Sequence, residues 1–180
     1  VAALIGTVVL VVRARARRSI ATAPQRATFD VLHRAELAAE PLRAGLTAGT
    51  AARAARHLHA LVAGVGLGLA DTERVLTLYG PGEHHREQLG QGAHRAVTAG
   101  RTAVLGARDL PCDVVDCPVR GAVIAPLGRP AAGALIALAD GAPAPGLVQA
   151  ALEAARFVAS QVALAELDSS RAKLARAEVR

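Results

Sequence analysis

The sequence predicts an α+β domain, an antiparallel sheet flanked by helices, with a long helix at its C-terminal end. Three observations carry that expectation. Short apolar segments in the middle of the chain are joined by hairpin turns, segments with apolar residues every three or four positions precede them, and no Gly or Pro follows Gly146. Hairpin connections imply antiparallel pairing, because parallel neighbours need a long crossover between them. A length of 180 residues with 52% hydrophobic side chains is enough to bury one good core, which excludes a disordered tail.

The first twelve residues, Val1 to Val12, carry no charge and are followed by Arg13, Arg15, Arg17 and Arg18. As a helix they span about 18 Å, short of the roughly 30 Å of a bilayer core. Clustered arginine beside an apolar run marks the side of a membrane protein that stays inside the cell. Residues 1–18 are therefore expected to be the end of a truncated transmembrane helix with a juxtamembrane Arg run at anionic headgroups. That places the chain on the cytoplasmic face of the cell membrane, anchored by the N-terminal segment. A buried core helix or a signal-peptide remnant are the alternatives.

After Pro24, Gln25 to Glu40 reads as a helix with Phe29, Leu32 and Leu37 as apolar positions and Pro41 as its stop. Thr47 and Thr50 can each cap a second helix, Ala51 to Ala63, whose inner side is Ala51, Ala54, Leu58, Leu61 and Val62. The period then changes. Val65 to Ala70 and Val75 to Tyr79 form a hairpin about the polar turn Asp71 to Arg74. Gly66 and Gly68 share one face of the first strand, where a helix or ligand can approach closely. Beyond the loop Gly80 to Glu83, a third helix runs through His94 to Ala99 and ends at Gly100. Thr102 to Leu105, Gly121 to Leu127 and Gly133 to Ala139 complete the strands. In the final helix, Val148, Leu152, Ala155, Ala159 and Val162 are expected against the core. Leu164, Leu167 and Leu174, with Ser160, Arg171 and Glu178, continue as a weak heptad. Three parts follow: the membrane end at 1–18, a folded domain at 19–145, which the resemblance given below implies to be sensory, and a connector or dimerisation helix at 146–180.

The net charge of +6 invites a nucleic-acid partner, but the Arg run supplies four of those charges. With 2% aromatic residues, Phe29, Phe157 and Tyr79 alone, the chain lacks base-stacking platforms, so no nucleic acid is expected. Signatures of nucleotide binding and hydrolysis are missing: there is no GxSxG, no phosphate-binding GxxxxGK[ST] and no HExxH. No catalytic residue is assigned. Chemistry concentrates in two loops. Cys112 and Cys117 bracket PCDVVDCP, with Asp113 and Asp116 between them, and His84 and His85 are adjacent after the hairpin. Three readings stay open for the cysteines: loop residues without a cofactor, a switchable thiol pair, or metal ligands completed by His84 and His85 or by His94. A permanent disulfide is disfavoured in a reducing cytoplasm. Adjacent histidines diverge on any regular element, which favours a solvated loop for His84 and His85. His57 and His59 lie two apart on a helix and do not share a face, and His33 is expected to be exposed. No cofactor or metal is firmly assigned.

Four stretches, Leu42 to Leu61, Gly80 to Gln88, Cys112 to Leu127 and Ser160 to Arg180, together resemble the input region of actinobacterial LytS-type sensor histidine kinases. The resemblance implies a GAF-like domain behind a membrane anchor, and an exit helix leading to a phosphorylated histidine and an ATP-binding domain. It also implies a homodimer, a downstream kinase core and a LytTR-type response regulator as partners. None of the six histidines matches the family's phosphorylated one, so this chain is not expected to act as an enzyme itself. The expected function is a signal-input module that relays ligand or redox state at Cys112, Cys117, His84 and His85 through its final helix. A structural tether and dimerisation module without a small-molecule ligand is the alternative, and a transcriptional regulator's effector domain is a third.

Overall fold

The computed structural model describes residues 23–178; Val1 to Val12 and the four arginines of the juxtamembrane run lie outside them. The chain divides into two compact units, Val1–His33 and Arg34–Arg180. The described part of the first is the start of helix α1 (Ala23–Leu42), where the Thr28 hydroxyl donates to the Pro24 carbonyl at 3.0 Å. The sequence places the stop of this helix at Pro41, but Pro41 lies inside its last turn. Ala38, Ala39 and Leu42 are buried in the core of the second unit, and this packing holds the turn helical past the proline. The chain then turns at Gly45, with φ near +90°, whose N–H bonds the Leu42 carbonyl at 2.9 Å.

Helix α2 (Ala48–Val62) starts three residues before the expected Ala51, because both threonines serve its N-terminus. Thr47 is the cap and Thr50 reciprocates: the Thr50 N–H donates to Thr47 Oγ1 at 3.3 Å, and the Thr47 N–H donates to Thr50 Oγ1 at 2.9 Å. The Thr50 hydroxyl in turn donates to the Gly45 carbonyl at 2.7 Å. Thr50→Val removes the bonds its hydroxyl makes to the Thr47 N–H and the Gly45 carbonyl in a buried position and is expected to cost about 1–2 kcal/mol. A lowered urea midpoint at unchanged slope is the expected readout.

The sheet contains β1 (Gly66–Ala70), β2 (Val75–Tyr79), β3 (Ala103–Leu105), β4 (Gly121–Pro126) and β5 (Ala134–Ala139). Their order is β2-β1-β5-β4-β3, and every neighbouring pair is antiparallel. The β1–β2 turn is held by Asp71, whose carboxylate accepts from the Glu73 and Arg74 amides at 2.8 and 2.7 Å. Strand β5 pairs with both β1 and β4 and is buried along its whole length, which is why its sequence is continuously apolar and does not alternate.

The two faces of the sheet bury two cores. Leu67, Leu69, Val123, Leu135 and Ala137 meet α2 and the first half of α4 (Pro145–Glu178). Ala70, Ala122, Ile124, Ile136 and Leu138 meet Leu89, Ala93 and Ala96 of α3 (Arg86–Ala99), together with Leu110, Cys117 and Val119 of the loop between β3 and β4. Helix α3 lies close on the sheet at Gly92, where a Cβ would stand 2.5 Å from Ile124 Cδ1. It extends well before His94 and ends at Gly100, as expected.

The buried seam of α4 agrees with the expected one at Ala155 and Val162 and differs elsewhere. Ala151, Ala154, Ala155, Val158 and Val162 are buried, whereas Val148, Leu152 and Ala159 are half-buried at its border. Small residues at the centre let the helix sit near the sheet, and the larger ones flank it. Among the described residues, the stretch Pro145–Ala177 is long and apolar enough to cross a bilayer. Its first half is instead part of the domain core, and its second half is exposed at Leu164, Leu167 and Leu174.

Candidate functional site

The chain leaves β2 through Gly80 and Gly82, whose φ values of +92° and +112° L side chains rarely adopt. A Cβ on Gly82 would stand 3.0 Å from Leu138 Cδ1 and 3.3 Å from Val119 Cγ2, so the backbone here rests directly on the second core. A 3₁₀ turn, Glu83–His85, follows and leads into α3. Arg86 fixes its orientation. Its guanidinium donates to the Val75 carbonyl at 2.7 Å and pairs with the Glu83 carboxylate, holding that carboxyl below its usual range.

Facing this turn is the loop that carries the two cysteines. It opens with a turn in which Asp109 accepts from the Gly106 amide at 2.9 Å. It tightens again where Asp116 adopts φ +61° and the Cys117 N–H reaches the Val114 carbonyl at 3.3 Å. Cys117 is buried, Cys112 is half-buried, and both are free thiols.

The fold brings His84, His85, Cys112 and Cys117 together: one nitrogen from each ring and both sulfurs all lie within 4.8 Å of one another. His84 Nε2 is 3.1 Å from Cys117 Sγ, and His85 Nε2 is 3.5 Å from it. The expectation that the adjacent histidines form a solvated, diverging loop is corrected for His85. That side chain is 0% exposed, and the two rings stack at 4.3 Å between centroids with a tilt of 43°. The cysteine loop closes over the turn, so one sulfur meets both rings. Burial lowers the pKa of His85 below the ordinary imidazole value, and His84 and Arg120 push in the same direction. Its Nδ1 is buried and has no hydrogen-bond partner among the described residues.

The remaining candidates lie elsewhere. His94, Asp113 and Asp116 are exposed and outside the group, and His33 is exposed as expected. His59 Nε2 bonds the Gly64 carbonyl at 2.8 Å and packs on Tyr79, which makes it part of the end of α2. The space beside Gly66 and Gly68 is taken by neighbouring strands and not by a helix or ligand. A Cβ on Gly68 would stand 2.6 Å from Leu78 Cδ2, and one on Gly66 3.0 Å from Leu138 Cδ1. Open grooves of about 450 and 370 Å³, lined around Arg95 and Arg101 and around Arg129 and Arg156, include none of the four residues.

No family model and no curated protein matches this sequence. Solved structures match its fold. The GAF domain of a phosphoenolpyruvate-protein phosphotransferase from Coxiella burnetii has a TM-score of 0.53 at 12% identity, covering 79% of this chain and 98% of that one. The NLH2 GAF domain of A. aeolicus has a TM-score of 0.52 at 11% identity, over 76% and 98%. Residues 122 to 287 of a methyl-accepting chemotaxis protein have a TM-score of 0.52 at 14% identity, over 79% of this chain and 99% of that fragment. The chain thus has a GAF-like α+β fold, and at these identities the likeness is one of fold.

Proposed function

We propose that this chain is the signal-input module of a membrane-anchored two-component sensor histidine kinase, working as a homodimer. The observation that carries the reading is the division of α4. Its first half is built into the sheet core through Ala151, Ala155 and Val158, while its second half presents Leu164, Leu167 and Leu174, each more than half exposed, at heptad spacing. A change of packing on the sheet therefore reaches the exposed seam through one continuous helix, biasing two states of a dimeric kinase core. The resemblance of its four sequence stretches to LytS-type input regions supports the same reading, and the response regulator is then of LytTR type. The similar fold of residues 122 to 287 of a methyl-accepting chemotaxis protein is consistent with signalling use.

Sedimentation tests the dimer. The chain is expected to sediment as a dimer, and Leu164→Glu with Leu167→Glu to give a folded monomer with unchanged far-UV circular dichroism. A wild-type chain that stays monomeric at high concentration overturns the helix-mediated dimer. Phosphoryl transfer from ATP by the full-length protein tests the kinase assignment, and its absence overturns it. The alternative, a tether without a small-molecule ligand, is favoured by one observation: Leu138, Ile136 and Leu89 fill the sheet face on which α3 packs. It predicts the same dimer, with kinase output indifferent to replacement of the two cysteines.

A further inference from the structure

We propose that His84, His85, Cys112 and Cys117 form a closed four-ligand site for a thiophilic divalent metal ion, with Zn²⁺ as the ion that fits the donor set. The site does not rest on the kinase reading. Two thiolates and two neutral imidazoles are the donors of a Cys₂His₂ zinc centre, and together they cancel the ion's charge. Metal–sulfur and metal–nitrogen bonds of about 2.3 and 2.0 Å in a tetrahedron put neighbouring donor atoms roughly 3.3–3.8 Å apart. The His84–Cys117 and His85–Cys117 separations of 3.1 and 3.5 Å already lie near those edges, and the widest pair needs to close only from 4.8 Å or less. Asp113 and Asp116 are exposed and outside the group, so the site lacks the oxygen ligands that Ca²⁺ or Mg²⁺ requires. With all four positions supplied by the protein, no open position remains for hydrolytic chemistry.

The location gives the ion a mechanical role. Two of its ligands come from the turn before α3 and two from the loop between β3 and β4, segments that meet over the second core. Metal binding pins that loop over the core face beside His85, which is already fully buried. If the two sulfurs move together and the thiols lose two protons and two electrons to an oxidant such as dissolved oxygen, they join as a disulfide and neither can bind the ion, so reduced thiols are a condition of loading.

The test uses the whole chain with its thiols reduced, and Zn²⁺ and Co²⁺ as probes. Expected are one Zn²⁺ retained per chain after removal of excess, and with Co²⁺ the intense visible bands of a tetrahedral ion with a sulfur-to-cobalt charge-transfer band. Cys112→Ser and His84→Ala change side chains that are not fully buried, so both variants should fold. Loss of an outer-shell partner costs about 10–100-fold in metal affinity, and loss of a ligand is expected to cost roughly 100-fold or more. His94→Ala leaves affinity unchanged. Three results overturn the proposal: a reduced chain that retains no stoichiometric metal, a six-coordinate cobalt spectrum without sulfur charge transfer, or wild-type affinity in His84→Ala. A Cys112–Cys117 disulfide in a chain that binds no metal when reduced assigns the pair to thiol exchange instead. If Cys112→Ser fails to fold, His84→Ala alone decides.

Discussion

Gly133→Ala is expected to destabilise the protein strongly. A Cβ at this position, just before β5, would stand 2.2 Å from the Ala70 carbonyl oxygen and 3.1 Å from Asp71 Cα. Both obstacles are backbone, so no side chain can rotate away, and relief requires β1 and β5 to separate where Ala70 pairs with Ala134. Overpacking a core costs about 1–3 kcal/mol when side chains can move, and a backbone clash of this depth is placed at about 3 kcal/mol or more. Against a total stability of roughly 5–15 kcal/mol this is a large share. Gly141→Ala is the control, because nothing lies within 4 Å of its added carbon and its cost should stay within about 0.5 kcal/mol. Urea unfolding of the two variants separates the cases. Equal midpoints would mean that β5 does not start against Ala70.

Leu138→Ala is expected to be comparably damaging, for the opposite reason. Leu138 is fully buried, and its Cδ1 occupies the space left by two glycines, 3.0 Å from the Cβ positions of both Gly66 and Gly82. Glycines have no side chain with which to collapse into the hole, and a Cβ on Gly66 is barred by the Tyr79 carbonyl at 2.8 Å. The cavity therefore persists, and the cost belongs at the upper end of the Leu→Ala range, about 4–5 kcal/mol. For a domain of this size that is a fall of roughly 10–20 °C in melting temperature. Because Leu138 also supports the backbone at Gly82, the turn carrying His84 and His85 should lose its seat. Leu135→Ala, on the other face among Ala51, Ala54 and Ala151, tests the contrast and should cost less. A smaller loss for Leu138→Ala than for Leu135→Ala would contradict the supporting role of Leu138.

Several features were legible because their causes are local. The β1–β2 hairpin follows from Asp71 closing its own turn, and the end of α3 follows from Gly100, which takes φ +60° and caps Ala96 and Val97. The capping residues of α2 were visible as threonines three apart, although their reciprocal use, which moves the helix start to Ala48, was not. Pro41 misled because its local effect is opposed by burial of Ala39 and Leu42 on either side of it. On the inner face of α4 the expected Ala155 and Val162 are buried, but close approach to the sheet selects Ala151 and Ala154 over the larger Val148 and Leu152.

At the candidate site, the sequence showed which side chains carry chemistry, but each pair was ambiguous alone. Cys112 and Cys117 are two ligands short of a zinc site, and His84 and His85 look divergent on any regular element. What the sequence by itself determined is the order of elements, the antiparallel hairpins and which four side chains concentrate ligand-capable chemistry, since periodicity, turn chemistry and side-chain type act over a few residues. Only the tertiary structure decided that His84 and Cys117, 33 positions apart, stand 3.1 Å from each other and that His85 is buried. That meeting depends on α3 and the β3–β4 loop packing on one face of β5, a consequence of core burial that no local pattern encodes.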